Sequence, residues 1–384
     1  MRVLPPLEMT EARLTSSTAA EPGVGEAAWA SGTTYAAGDK VILGSPSSAV
    51  TITIASPGVV SWASNGLPNG TPVVLTTTGA LPTGLTAGRI YYVINRAAGS
   101  FQLSATLDGA PIVTTGSQSG THTATAQIHR KYESQVGSNT GNPPAIDDGS
   151  KWLDIGPTNR WAMFDLLRNT ATIVASPLTV VITPGQRIDA IGLVGLVADS
   201  VTVTVTVSGS PVYSVTRNLS TRNVASWRDY FFEPFSTAPS LALFDLPPYT
   251  NGVITVTLTR STGMVSCGGL LVGTSVYLGE TQYDAVSDAL NFSRIERNFA
   301  GEASLTPRRT VPKVIARVMT PKGIVNKVRE VRTDLNAVPA LWSGLDDADH
   351  PYFEAVLILG IYKQFSINLD FPEHALTTLE LEEI

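Results

Sequence analysis

Residues 201–207 read VTVTVTV, and the two residues after them are Ser-Gly. Strict alternation puts every Val on one face of an extended chain and every Thr on the other, which is the period of a half-buried strand and not of a helix. Working outward, LTVVIT (178–183), IDAIGLVGLV (188–197), VYSVTRNL (212–219), VITVTLTR (253–260) and GGLLVGTSVYLG (268–279) repeat the pattern, with SGSP (208–211) and PPYTNG (247–252) as turns. This spacing predicts a jelly-roll-like β-sandwich of about eight strands over 157–280. Its Thr face is expected to be solvated or to lie against another subunit. Trp227 and the aromatics Phe231, Phe232 and Phe235 around Pro234 read as a further strand, in the sandwich core or at a subunit interface.

Composition agrees with a mainly β, multidomain chain. Of 384 residues only 15% are charged, against roughly 25% in an average domain, and the length suggests two or three domains. The net charge of −6 gives no basic face for nucleic acid or an anionic membrane. The single cysteine, Cys267, excludes an internal disulfide and a thiolate metal cluster. MRVLPPLEMTEARLTSS (1–17) lacks the apolar run of a signal peptide, and no window is apolar enough to span a bilayer. The expectation is synthesis in a cytoplasm without membrane insertion. Residues 1–26 read as an N-terminal arm ordered against a partner, with room for a short helix over 8–15.

Ahead of the sandwich, AWASGTTYAAGDKVIL (28–43) combines Trp29, Tyr35, a Gly38-Asp39 turn and a β-branched strand. Its continuation lies a hundred residues on, in QIHRKYESQVGSNTGNPPAIDDGSKWLDIGPTNRWAMF (127–164). The pattern W-x5-Y-x2-GD-x-V, followed by an aromatic strand and Trp152, resembles the small carbohydrate-binding modules of the 5/12 kind. The resemblance implies three short strands presenting rings, with Trp29, Tyr35, Tyr132 and Trp152 at the matching positions. Trp and Tyr faces stack on the apolar face of a pyranose; in so small a module the two Trps equally suit its core, which leaves Tyr35 and Tyr132 as the candidate glycan contacts. The module is split, 27–46 plus 127–156. Between the halves, 47–126 carries TITIA, VVSWA, TPVVLTTTG, IYYVIN, FQLSAT and HTATA with LPNG and LPTG turns, an inserted β-domain of sandwich or barrel type. It resembles the small inserted β-domains of phage virion proteins.

The last region, 281–384, holds 11 of the 26 lysines and arginines. KGIVNKVREVRTDLNAV (322–338) spaces Ile324, Val325, Val328, Val331 and Leu335 as an amphipathic helix stopped by Pro339. With VPKVIARVMT, FEAVLILGIYK, FSINLDF and TTLELEEI as strands it predicts a C-terminal α+β docking domain whose sheet is covered on one face by that helix. Arg308-Arg309 forms a basic patch suited to an acidic protein partner.

Chemistry is sparse. His122, His129, His350 and His374 share no metal-ligand spacing, and neither a Walker loop nor GxSxG occurs. No catalytic residue, resident metal or cofactor is expected, and the chain is not read as an enzyme. Asp346, Asp347, Asp349 and His350 in GLDDADHP could place oxygens around Ca²⁺ or simply cap a solvated turn, and Asp147-Asp148-Gly149 reads as an Asp-Gly turn.

WLDIGPTNRWAMFD (152–165) and PALWSGLDDADHPYFEAVLILGIYKQFSINLDFP (339–372) with LELEEI (379–384) resemble tail-tip or baseplate proteins of phages and prophages. That resemblance implies a virion structural protein in several copies, docked on other tail and baseplate proteins. The alternative is an adhesin for a host-surface glycan, and a polysaccharide depolymerase is a third, lesser reading.

Overall fold

The computed structural model describes residues 1–221, 226–233, 236–369 and 371–384, and it is mainly β with few helices. Contacts divide the chain into two compact units: Thr10–Ala12 with Ala20–Trp161, and Met1–Met9 with Arg13–Ala19 and Ala162–Ile384. No helix among the described residues is long and apolar enough to cross a membrane.

In the first unit, the strands Ser47–Ile52, Val60–Ser61, Pro72–Thr77, Ile90–Ala97, Ser100–Ser104 and His122–Ala126 close into a barrel. Period-2 burial points Val73, Leu75, Tyr91, Val93, Phe101 and Leu103 inward, and closure leaves no open edge. The barrel's first and last strands pair with each other, Ser47 opposite Thr125.

The chain on either side of the barrel meets again. Lys40–Leu43 pairs with Arg130–Ser134, which pairs with Trp152–Pro157, and Thr34–Tyr35 pairs with Asn139–Thr140. The Gly38-Asp39 turn needs its glycine, at φ +88°, and the Asp39 carboxylate accepts from the Ala36 N–H at 2.7 Å.

The larger unit contains three main sheets. One has five strands in the order Ser210–Asn218, Ser200–Val207, Val253–Thr259, Leu178–Ile182 and Leu14–Ser17. Val201, Val203 and Val205 are buried. On the half-exposed opposite face Thr202 bonds Thr216 at 2.9 Å and Thr204 bonds Ser214 at 3.3 Å. The Ser208-Gly209 turn has φ of +50° and +83°, which fits the twist of a two-residue hairpin. A second sheet, Ser240–Leu243, Ala190–Val194 and Gly269–Gly273, has a middle strand buried on both faces.

The third sheet has eight strands, with Leu357–Asn368, His374–Glu383 and Thr310–Pro321 the longest. The expected helix is present as Val325–Asp334, preceded by a turn of 3-10 helix at Lys322–Ile324. Val328, Val331 and Leu335 seat it on a core with Val318, Trp342, Phe365 and Leu379. A separate core joins Leu4, Leu341 and Leu359 of this sheet to Ala190, Val194 and Leu271 of the three-stranded sheet. At Gly192 a Cβ would meet Leu341 Cδ2 at 2.2 Å, so the strands approach closely because that residue is glycine. The sandwich and the C-terminal region therefore share a core, and packing does not break at 280.

Two expectations are corrected. The N-terminus is neither an arm nor a helix: Arg2–Leu4 lies between Val276–Tyr277 and Ala340–Ser343, and Leu14–Ser17 pairs with Leu178–Ile182. The run expected to place Phe231 and Phe232 on a strand is a short helix, Trp227–Phe232, whose N-cap Ser226 accepts from the Asp229 N–H. Local capping outweighs the β-propensity of the aromatics there. Pro234 and Phe235 lie outside the described residues.

Candidate functional site

Of the four aromatics of the split module, Tyr35, Tyr132 and Trp152 are buried and pack with Val41, and Trp29 is half-buried against them. Tyr35 and Trp152 meet edge to face, centroids 5.2 Å apart at 69°. The indole Nε1 of Trp152 donates to the Asn142 carbonyl at 2.9 Å. The Asp147 carboxylate accepts from the N–H groups of Gly149, Lys151 and Trp152, each at 3.0 Å, so Asp147-Asp148-Gly149 is a turn that positions Trp152. Burial, with the Asp154 carboxylate adding and Arg130 opposing, pushes the Tyr132 phenol up to about 12. Sequence pattern brought the right rings together, but stacking on a sugar needs an open ring face, and the two tyrosines offered as glycan contacts are turned into the core.

The acidic cluster in GLDDADHP disperses onto separate partners. Asp346 pairs with Arg2 at 2.9 Å, Asp349 pairs with Arg217 at 3.0 Å, and Asp347 accepts from the Asp349 N–H. Cys267 is fully buried, and burial pushes its thiol up to about 12, so it is not poised as a nucleophile. On the barrel, a groove of about 710 Å³ runs past Ile52, Ser61, Gln118 and His122. Both His122 nitrogens are occupied there, by Thr77 and Gln118.

Two surfaces of the larger unit are unusually apolar for their exposure. Val286–Asn291 pairs with the start of Thr310–Pro321, and beyond them Arg294–Arg297 pairs with Ala303–Thr306. The result is a two-stranded ribbon in which every residue of Val286–Asn291, Arg294–Arg297 and Ala303–Thr306 is exposed. Phe292, Ile295, Phe299 and Leu305 stand on it at 56 to 111% exposure, beside Arg294, Arg297 and Arg308. The second surface is the Trp227–Phe232 helix, where Trp227, Tyr230, Phe231 and Phe232 are all exposed.

A third feature was not visible in the sequence spacing. In the smaller unit His129, at φ +51°, sends Nδ1 to the Glu21 carboxylate at 2.9 and 3.1 Å and stacks on Trp161 at 4.2 Å. Glu21 also accepts from Thr158 Oγ1 at 2.6 Å and Trp161 Nε1 at 3.3 Å. Burial would raise the Glu21 carboxyl, but the hydrogen bonds from His129, Thr158 and Trp161 and the attraction of His129 outweigh it and hold the carboxyl below its ordinary value. His129 Nε2 is buried without a hydrogen-bond partner, with the Glu11 carboxylate 3.5 Å away. Such an orphaned buried polar atom costs about 1–3 kcal/mol. Among the described residues, Glu11, Glu21 and His129 form a His/carboxylate cluster with one ligand atom of each within 4.8 Å of the others.

No protein-family model, no curated protein and no solved structure matches the chain.

Proposed function

We propose that this chain is a structural component of a phage tail tip or baseplate, present in several copies in the virion and working by burial of exposed surface against neighbouring proteins. The observation that carries the reading is the ribbon built on Val286–Asn291 and Thr310–Pro321. An isolated two-stranded ribbon is at best marginally stable, yet this one holds four large apolar side chains in solvent. Burying such a side chain is worth about 1.5–3 kcal/mol, so the ribbon gains stability when a neighbour covers it. Arg294 is paired with Glu296 on the ribbon itself, and Arg297 and Arg308 favour an acidic neighbour with apolar sockets, a pairing in which charge steers and apolar area holds. The aromatic helix at Trp227–Phe232 supplies a second patch of the same kind. The resemblance of the 152–165, 339–372 and 379–384 stretches to tail proteins supports the setting.

The reading is non-catalytic. The host-glycan adhesin has less support, because Tyr35 and Tyr132 offer no open face.

The test removes the ribbon. Replacing residues 292–309 by Asn-Gly joins Asn291 to Thr310, which already face each other, through a favoured hairpin turn. The shortened protein, which loses the Arg309–Glu383 ion pair with the ribbon, is expected to melt cooperatively and to fail to enter tail particles when it complements a phage lacking the gene. Normal incorporation, or absence of the full chain from purified virions, would overturn the proposal.

A further inference from the structure

We propose that His129 and Glu11 bind one divalent transition-metal ion of the Zn²⁺ class, with Glu21 orienting the imidazole from behind. Three observations converge on the Nε2 atom of His129. The side chain is 9% exposed, its Nδ1 is committed to Glu21, and its Nε2 is buried, lacks a hydrogen bond and points at Glu11. With Nδ1 held by Glu21, the ring turns Nε2 toward a Glu11 carboxylate oxygen with no hydrogen bond between them. A metal ion between that nitrogen and that oxygen would give Nε2 the partner it lacks.

The distance fits a bridging ion. A direct charge-assisted hydrogen bond between the two atoms would measure about 2.7–2.9 Å. The pair stands at 3.5 Å. Zinc bonds of about 2.0–2.2 Å to nitrogen and oxygen at the tetrahedral angle put the two ligand atoms about 3.3–3.5 Å apart. The gap is that of two corners of a tetrahedron.

The surroundings suit the same assignment. The Ser45 hydroxyl donates to the Glu11 oxygen that faces His129, which fixes that carboxylate. Glu21 is itself held by Thr158 and Trp161, and a carboxylate behind a ligating imidazole fixes its tautomer and raises its basicity. Glu11 is 36% exposed, so water can complete the shell. One imidazole and one carboxylate favour Zn²⁺ and its neighbours over Ca²⁺ or Mg²⁺, which take oxygen shells. All of these residues lie in one compact unit.

The experiment uses the full chain stripped with chelator, titrated calorimetrically with Zn²⁺ alone, and examined with Co²⁺ by visible absorption. One saturable Zn²⁺ per chain is expected, weakening as pH falls because the ligands must be deprotonated. Millimolar Mg²⁺ and Ca²⁺ are expected not to compete. Glu11→Gln, at a partly exposed position, should abolish Zn²⁺ binding and the Co²⁺ band in a protein that still melts cooperatively without metal. Glu21→Gln, a change at a positioning residue, should weaken binding about 10- to 100-fold and retain the Co²⁺ band. No saturable Zn²⁺ binding by the unaltered chain, or unchanged affinity in Glu11→Gln, overturns the assignment. Because neither readout involves tail assembly, its failure is separable from failure of the structural role.

Discussion

Trp152 is 2% exposed, and its indole donates to the Asn142 carbonyl, so truncating it leaves both a cavity and an unsatisfied oxygen. Trp152→Ala is expected to destabilise the smaller unit by about 3–5 kcal/mol, read from denaturant midpoints of the full chain. Tyr35→Ala should also destabilise it, because that ring packs on Trp152 and its hydroxyl accepts from the Ala30 N–H at 2.8 Å. A sugar-platform ring would behave oppositely, since an exposed side chain removed from the surface typically changes stability by only about 0.5 kcal/mol. The W-Y-GD-W spacing was enough to gather these residues, but not to say which way they face. A module this small has few other side chains with which to fill its interior. His129 and Glu21 were beyond reach of spacing altogether: 108 residues separate them, and they meet only because the chain leaves the barrel beside the segment that carries Glu21. Neither local composition nor periodicity encodes such a meeting.

At the scale of elements, legibility followed length and regularity. The alternating Val201–Val207 run and the helix spaced on Val328, Val331 and Leu335 were readable because each repeats its period over several turns or pleats. Arg2–Leu4, three residues long, has no period to read, and its neighbours in the sheet lie more than 270 residues away. It is nevertheless an interior strand, hydrogen-bonded on both sides, with Val3 and Leu4 at 0% exposure and in two different cores. Leu4→Ala is therefore expected to cost about 2–5 kcal/mol, and removal of Met1–Met9 to prevent soluble folding, assayed by expression and thermal melting. An arm of the kind expected from composition would tolerate both changes. The Trp227–Phe232 helix was misread for a related reason: a cap at Ser226 decided it, and aromatic composition pointed toward a strand.

At the scale of the whole molecule, composition shifts marked five regions where contacts define two units. The shift near residue 280 is real in sequence, yet the core of Leu4, Ala190, Val194, Leu271, Leu341 and Leu359 runs across it; packing follows shape and apolar area, and these are not confined by changes in charge content. The inserted segment is different. Its entry and exit strands pair, Ser47 opposite Thr125, and opposed residues of an antiparallel pair lie about 4.5–5.5 Å apart. To the split module, eighty residues of barrel are then no harder to close than a tight turn, because loop entropy depends on the distance the ends must be held and not on a folded insert's length. The barrel has its own apolar interior around Tyr91 and Phe101, while the module holds Tyr35, Val41, Tyr132 and Trp152. Excising Ser47–Ala126 and bridging Pro46 to Gln127 with a short Gly-Ser linker should therefore leave the module folded, with the fluorescence of a buried Trp152 in the isolated Ala20–Trp161 fragment. The excised Ser47–Ala126 segment should melt cooperatively by itself. If neither piece unfolds cooperatively, the two cores are one folding unit, and the paired entry and exit strands reflect mutual support instead of an insertion.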